Sequence, residues 1–203
     1  MSRSTITTET SVMFTGVGGQ GILLAGDVLA AVAIEAGLDV KKSEIRGLSR
    51  RFGSLWCQVR LGEEVHSPVR GEGAIDFLVS LEMQEGLRRR PYLKPGGTAL
   101  INRLWIDSNG TARSAPPADF DETKYAGCLW LDGTETTRRA DRMRCLNFFM
   151  LGALAALLPF EEATWTAAIE SVVQPRFLPA NLEMFSAGSD AVLLQNAPPR
   201  KTK

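Results

Sequence analysis

The sequence predicts an α/β fold: a mostly parallel sheet, a central hairpin and a run of C-terminal helices. Three observations carry this. The stretch "SVMFTG" is a short apolar strand that runs into a glycine-rich turn and then an apolar helical stripe. "AIDFLVSL" and "TALIN" are continuous apolar runs, as expected of strands covered on both faces in a parallel sheet. From Thr134 onward the pattern turns helical and stays so. No linker divides the 203 residues, so residues 1–203 read as one domain.

In chain order, the first strand ends at Gly16. A helix follows over residues 20–36, with Ile22, Leu23, Val28, Leu29, Val32 and Ala33 on its apolar stripe and Gly37 as its stop. "LDVKKSEI" reads as a second strand, "RGLSRRFGS" as a polar loop and "LWCQVRLG" as an alternating strand. "EEVHSP" is expected to return from that strand as a hairpin. "AIDFLVSL" is next, then a helix over residues 83–92, a turn at "LKPGG" and the strand "TALIN". Residues 107–123 are rich in Pro, Ser, Asp and Gly and predict a surface excursion. "GCLWLD" is the last strand. Three helical stretches follow: "TETTRRADRMRCLNFFMLGALAALL", "FEEATWTAAIESVV" and "LPANLEMFSAGSDAVLL". The tail "APPRKTK" predicts disorder.

Composition narrows the function. Lysine plus arginine and aspartate plus glutamate are 23 each, so the net charge is zero and no general attraction to nucleic acid or membrane is expected. The polar start is unlike a secretory signal, and the longest apolar run, "LNFFMLGALAALLPF", is too short to span a bilayer, so a cytoplasmic location is expected. Cys57, Cys128 and Cys145 lack the close spacing of cluster or zinc ligands and read as reduced thiols. The single histidine, His66, has no accompanying ligand set. Neither a catalytic residue nor a metal ligand is assigned.

The turn Gly16-Val17-Gly18-Gly19-Gln20-Gly21 fits G-x-G-x-x-G in the required strand-to-helix context. Such glycines permit a tight turn and close approach of a diphosphate, and the helix start offers free N–H groups and a positive dipole end. A plain βα connection without a ligand would carry the same pattern. NAD sites want an acid at the end of the second strand, where this chain has Lys41 and Lys42. Two lysines disfavour NAD and suit an extra phosphate, as in NADP or coenzyme A, or are simply solvated charges. The loop with Ser43, Arg46, Ser49, Arg50, Arg51, Gly53 and Ser54 forms an anion surface, a seat for a partner's acids, or a solvated loop. It is expected beside the glycine turn, at the carboxyl ends of the strands. No P-loop is present, and neither Tyr92 nor Tyr125 has a lysine four residues on, which leaves an independent NADP oxidoreductase without a proton donor.

"GVGGQGILLAGDVLAAVAIEAGLDVKKSEIRGLSRRFGS" followed by "VRLGEEVHSP" resembles the small, gamma-type subunit of the 2-oxoacid:acceptor (ferredoxin) oxidoreductases, nearest to the indolepyruvate branch. "EGAIDFLVSLEMQEGLRRRPYLKPGGTALIN" and "NFFMLGAL" are similar to that family's later strand–helix–strand and helix motifs. Together they cover about three quarters of the chain. The resemblance implies a Rossmann-like fold and a role as one subunit of a larger enzyme. That enzyme decarboxylates a 2-oxoacid such as indolepyruvate with thiamine diphosphate, passes electrons through iron–sulfur clusters to ferredoxin, and forms an acyl-coenzyme A. Thiamine and clusters would sit in a larger partner subunit. This chain would assist coenzyme A handling or partner packing, with Gly16, Gly18, Gly19, Gln20 and Gly21 as a pyrophosphate turn. Lys41, Lys42, Arg46, Arg51 and Ser54 would be its flanking phosphate partners. The alternative is a stand-alone NADP- or coenzyme A-binding protein. Where family members commonly have Arg-Gly-Gly, this chain has Arg51-Phe52-Gly53, and Phe52 adds bulk where a ligand or partner would approach. Part of the C-terminal apolar set, from Phe148 to Phe185, is expected to meet a partner, and "TRRADRMR" reads as a solvated basic face.

Overall fold

A computed structural model describes residues 9–47, 53–107, 111–113, 116 and 118–196. The elements run β1 (Thr10–Val17), α1 (Ile22–Glu35), β2 (Asp39–Arg46), β3 (Ser54–Gly62), β4 (Ile75–Ser80), α2 (Met83–Arg89) and β5 (Leu93–Asn102). A small ribbon of β6 (Trp105–Ile106) and β7 (Ala112–Arg113) leads to β8 (Cys128–Leu131). The chain ends in α3 (Gly133–Arg139), α4 (Leu146–Ala155), α5 (Glu162–Val172) and α6 (Leu178–Asn196).

Six strands form one sheet in the order β2-β3-β1-β4-β5-β8. β1, β4, β5 and β8 pair in parallel, and β3 runs antiparallel to both of its neighbours. The sheet is therefore mostly parallel, as the apolar runs predict. The period-two pattern sorts its residues cleanly. Val12, Phe14, Cys57, Val59, Val79, Leu100 and Leu131 face the larger core, under α1, α4, α5 and α6. Met13, Trp56, Leu78, Ile101 and Trp130 face a smaller core beneath α2.

The hairpin is made by β2 and β3, so β3's return partner precedes it in sequence. "EEVHSP" forms no strand. Residues 63–74 instead cross the second face as a strap pinned by buried polar groups. Gln58 accepts from the Arg70 N–H at 2.6 Å and donates to its carbonyl at 2.9 Å. Arg60 reaches the Ser67 carbonyl and Glu9, and the Val65 N–H donates to Asp39 at 2.8 Å. Satisfying these backbone groups by side chains replaces the ladder that a strand would have used.

"LKPGG" is not a turn. β5 starts at Leu93 and takes up the Gly-rich run as an irregularity in its register with β4, with Gly96 at φ 78°. Nor is the excursion wholly superficial. Phe120 stacks on Tyr125 with ring centroids 5.3 Å apart and meets the edge of Trp130 at 5.6 Å, which closes the smaller core. The first C-terminal helical stretch breaks in two at Asp141, whose φ of 55° ends α3 before α4 begins. Most of the C-terminal apolar set is core: Phe148, Phe149, Met150, Leu151, Trp165, Met184 and Phe185 are buried, and Phe177 is exposed. α4 and α6 cross with backbones in contact at Gly152 and Gly188, where a Cβ would strike the carbonyls of Phe185 and Phe149. No helix of the described residues is long and apolar enough to cross a membrane. The predicted disorder of the tail and the loop residues Ser49, Arg50, Arg51 and Phe52 lie outside the described residues.

Candidate functional site

The glycine turn leaves the carboxyl end of β1, next to the sheet's change of strand direction. Gly16 is walled in: a Cβ would meet the Gln20 side chain and, at 2.8 Å, Ile22 Cδ1. Gly19 and Gly21 have φ of 97° and 78°, the left-handed region that glycine adopts without strain. Gln20 closes the turn on itself. Its Oε1 accepts from the Val17 N–H at 2.8 Å, and its Nε2 donates to the Leu81 carbonyl at 3.3 Å. The Gly18 N–H donates to the Gly53 carbonyl at 3.0 Å, so the loop after β2 does return against the turn. The Gln20 N–H donates to the Val17 carbonyl at 3.3 Å, so three of the turn's amides are committed within the protein. α1 begins at Gly21 with neither a side-chain cap nor an acid in its first turn, leaving its first amides for an outside acceptor.

The sequence-derived candidates do not all gather here. Ser54 is at the turn, paired in register with Val17, but its hydroxyl donates to Glu85 at 2.5 Å and accepts from Arg89 at 3.3 Å. The backbone of Arg46 ends β2 at the same level, opposite Leu55, and Arg51 is outside the described residues. Lys41 and Lys42 lie at the other end of the sheet. Lys41 pairs in register with Arg60, which in turn faces Ser11 near the start of β1. Lys41 sits 3.3 Å from Asp39, and Lys42 is clasped by Asp27 of α1 and by Glu44 at 2.7 Å. Burial works against the Lys42 charge, but its bonds to the two carboxylates outweigh that and raise its pKa. At about 3.3 Å per residue, four to five residues of strand separate these lysines from the turn.

What does gather at the turn comes from the far end of the chain. Gly19, Gln20, Gly21 and Leu24 form one wall of a cleft of about 390 Å³. Arg144, Cys145, Asn147 and Phe148 form the second, at the start of α4, and Phe177, Ala180 and Asn181 form the third, at the start of α6. Asn147 donates to the Gly21 carbonyl at 3.3 Å and would block any side chain at Gly21. Burial pushes the Cys145 thiol up, as it does Cys128 and Cys57, the last to about 12, so none is poised as a nucleophile. The sequence marks Asn147 only as the first residue of "NFFMLGAL" and places Arg144 on a solvated basic face. Nothing local links either to the turn. Behind the turn, Glu82 caps α2, accepting from Glu85 N–H at 2.8 Å and Ile106 N–H at 3.1 Å, while burial pushes its carboxyl up. Among the described residues, no three His, Cys, Asp or Glu side chains come together as metal ligands.

Residues 11–191 match the family described as pyruvate ferredoxin/flavodoxin oxidoreductase. The indolepyruvate oxidoreductase subunit IorB of Thermococcus kodakarensis is 32% identical over 202 residues, spanning 90% of this chain and 96% of that protein. Among solved structures, the gamma subunit of a keto/oxoacid ferredoxin oxidoreductase from Geobacter sulfurreducens has a TM-score of 0.68 at 24% identity, covering 91% of this chain and 99% of that one. The 2-oxoglutarate:ferredoxin oxidoreductase of Magnetococcus marinus, solved with 2-oxoglutarate, coenzyme A and succinyl-CoA bound, has a TM-score of 0.73 at 23% identity. That likeness covers 94% of this chain and 32% of the larger one, and both structural likenesses speak to fold.

Proposed function

The chain belongs to the pyruvate ferredoxin/flavodoxin oxidoreductase family, and from that premise we propose that it is the small subunit of an enzyme oxidising an aryl pyruvate such as indolepyruvate. The carrying observation is the family match along nearly the whole chain, together with 32% identity to a protein named as an indolepyruvate oxidoreductase subunit. In this reading thiamine diphosphate and iron–sulfur clusters belong to a larger partner subunit, which decarboxylates the 2-oxoacid and passes electrons to ferredoxin. The cysteines of this chain lie apart in the fold and suit packing rather than cluster ligation. The complex works in the cytoplasm.

This chain's own part is to shape the site from outside and to handle coenzyme A. The group fits the turn in one respect: an uncapped helix start behind Gly19 and Gly21 favours a phosphate. Gly16, Gly18 and Gln20 build that turn, and the described ends of the loop, Gly53 and Ser54, lie beside it. Lys41 and Lys42, already neutralised by carboxylates at the far end of the sheet, take no part. When bound, coenzyme A supplies the thiol that accepts the acyl group. The chain's amides would orient its phosphates.

The test is co-expression with the larger partner, followed by ferredoxin-coupled oxidation of indolepyruvate, pyruvate and 2-oxoglutarate, each with and without coenzyme A. Indolepyruvate should be oxidised best, both chains should be required, and the rate should need coenzyme A. Equal or better turnover of pyruvate or 2-oxoglutarate overturns the substrate, and a rate indifferent to coenzyme A overturns the turn's role.

A further inference from the structure

Three helices begin around the cleft beside the glycine turn. α1, α4 and α6 have no acidic residue in their first turns, and no carboxylate is among the residues that line the cleft. Their positive dipole ends face one volume, and α1 adds uncapped first-turn amides, whereas the Leu178 N–H of α6 already donates to Pro175 and Pro179 has none. Arg144 stands at its mouth. The other arginines of the same segment are neutralised: Arg138 and Arg139 pair with Glu135, and Arg142 with Glu183. Arg144 is exposed and makes no ion pair among the described residues. Asn181 gives an independent sign. It is only 7% exposed, its carboxamide opens on the cleft, and it has no hydrogen-bond partner among the described residues. Its amide reaches the open cleft without a protein partner among those residues and is free to bond a group that enters there.

We propose that this cleft binds a small organic anion, a carboxylate or phosphate group carried on a flat apolar body. Arg144, Asn181 and the first-turn amides of α1 would hold the anionic head. Leu24, Phe148 and Phe177 would pack the body. The volume of about 390 Å³ is at the low end for ligand pockets, about 300–1,000 Å³, and suits one charged head on a single ring rather than a dinucleotide. The site shares Gly19 and Gly21 with the coenzyme A reading but does not rest on it or on the identity of the oxoacid.

The experiment titrates the full chain with phenyl phosphate, phenylacetate and, as the uncharged control, benzyl alcohol, by calorimetry. At least one anion should bind with saturation, and the alcohol should not. The stronger of the two anions identifies the head. Arg144→Gln, on an exposed residue, should weaken binding about tenfold, the value of one charge-assisted hydrogen bond. Asn181→Asp, which puts a negative charge in the cleft at nearly constant volume, should weaken it at least as much, with folding checked by melting temperature. Binding of the alcohol as well as the anions, no binding at all, or affinity unchanged in Arg144→Gln overturns the proposal. A complex that oxidises indolepyruvate while its small subunit binds neither anion overturns this inference and leaves the subunit reading standing.

Discussion

Replacing Gly188 with alanine tests how α4 and α6 are held together. On an isolated helix the change would stabilise by about 1 kcal/mol, because glycine is the poorer helix former. Here the new Cβ would collide with the Phe149 carbonyl oxygen and lie 2.7 Å from its carbon and 3.1 Å from the Ala153 nitrogen. All three are backbone atoms, so no side chain can swing away. Ordinary carbon contacts need about 3.5–4.0 Å, which asks the helices to part by about 1 Å. A gap of that size forfeits a quarter to a half of each contact along the seam, where Phe149, Met184 and Phe185 are buried. Overpacking of this kind costs about 1–3 kcal/mol, and the loosened seam adds a similar amount. After the propensity gain, the net loss should be about 1–5 kcal/mol, a large share of the roughly 5–15 kcal/mol of a whole domain. Urea unfolding followed by tryptophan fluorescence reads it directly, since Trp165 lies against Phe185 with centroids 5.5 Å apart. The midpoint should fall by about 0.5–2.5 M at an m-value of about 2 kcal/mol/M. Ser186→Ala, on the exposed side of the same helix, should change stability by less than about 0.5 kcal/mol. A Gly188→Ala midpoint equal to or above the parent's would refute the close-contact account.

Three further outcomes follow from the same geometry. Gln20→Ala removes the bonds to the Val17 N–H and the Leu81 carbonyl, and leaves a buried amide without its acceptor. It should cost about 1–3 kcal/mol in urea unfolding, and an unchanged midpoint would show that the turn keeps its shape without this side chain. Asp76 is penalised by burial, yet the Lys94 bond and two bonds from Ser11 outweigh this and hold its carboxyl below the ordinary 3.8. A lowered folded pKa means stability that is present above 3.8 and lost as pH falls through the lower folded value. Asp76→Asn should therefore be less stable than the parent at neutral pH, with the difference shrinking in melts taken toward pH 2, and a pH-independent difference would contradict the assignment. Lys42→Met should leave the KM for coenzyme A in the assembled enzyme within about twofold, because the lysine is tied to Asp27 and Glu44 far from the turn. A rise of tenfold or more would return Lys42 to the phosphate site.

The local grammar of the fold was legible in the sequence. Alternating and continuous apolar runs mark the strands, and the glycines mark the turn at the end of β1, because both depend on neighbours in sequence. The misread places are those where distant contacts override local preference. "LKPGG" has the composition of a turn, yet pairing with β4 draws it into β5. "EEVHSP" loses its strand because Asp39 and Arg60, from other strands, take its Val65 and Ser67 backbone groups, while Gln58 holds Arg70 just beyond it. Asp141 interrupts a helical pattern through its own backbone angle, which no periodicity reveals. The lysines look well placed by residue count from the turn, but β2 continues to Arg46 and leaves them early in the strand. The cleft was invisible for a simpler reason. Its walls come from Gly19, Arg144 and Asn181, and only the folded chain makes them neighbours.

The self-closing of the turn through Gln20 also bears on how a complex would be put together. Its conformation depends on the Val17 and Leu81 backbones, both in the central strands or at their ends, and on nothing supplied from outside. The turn is thus complete once this chain has folded. A partner that docks on this turn should meet a preformed surface, so that the association rate scales with concentration and shows no slow first-order phase.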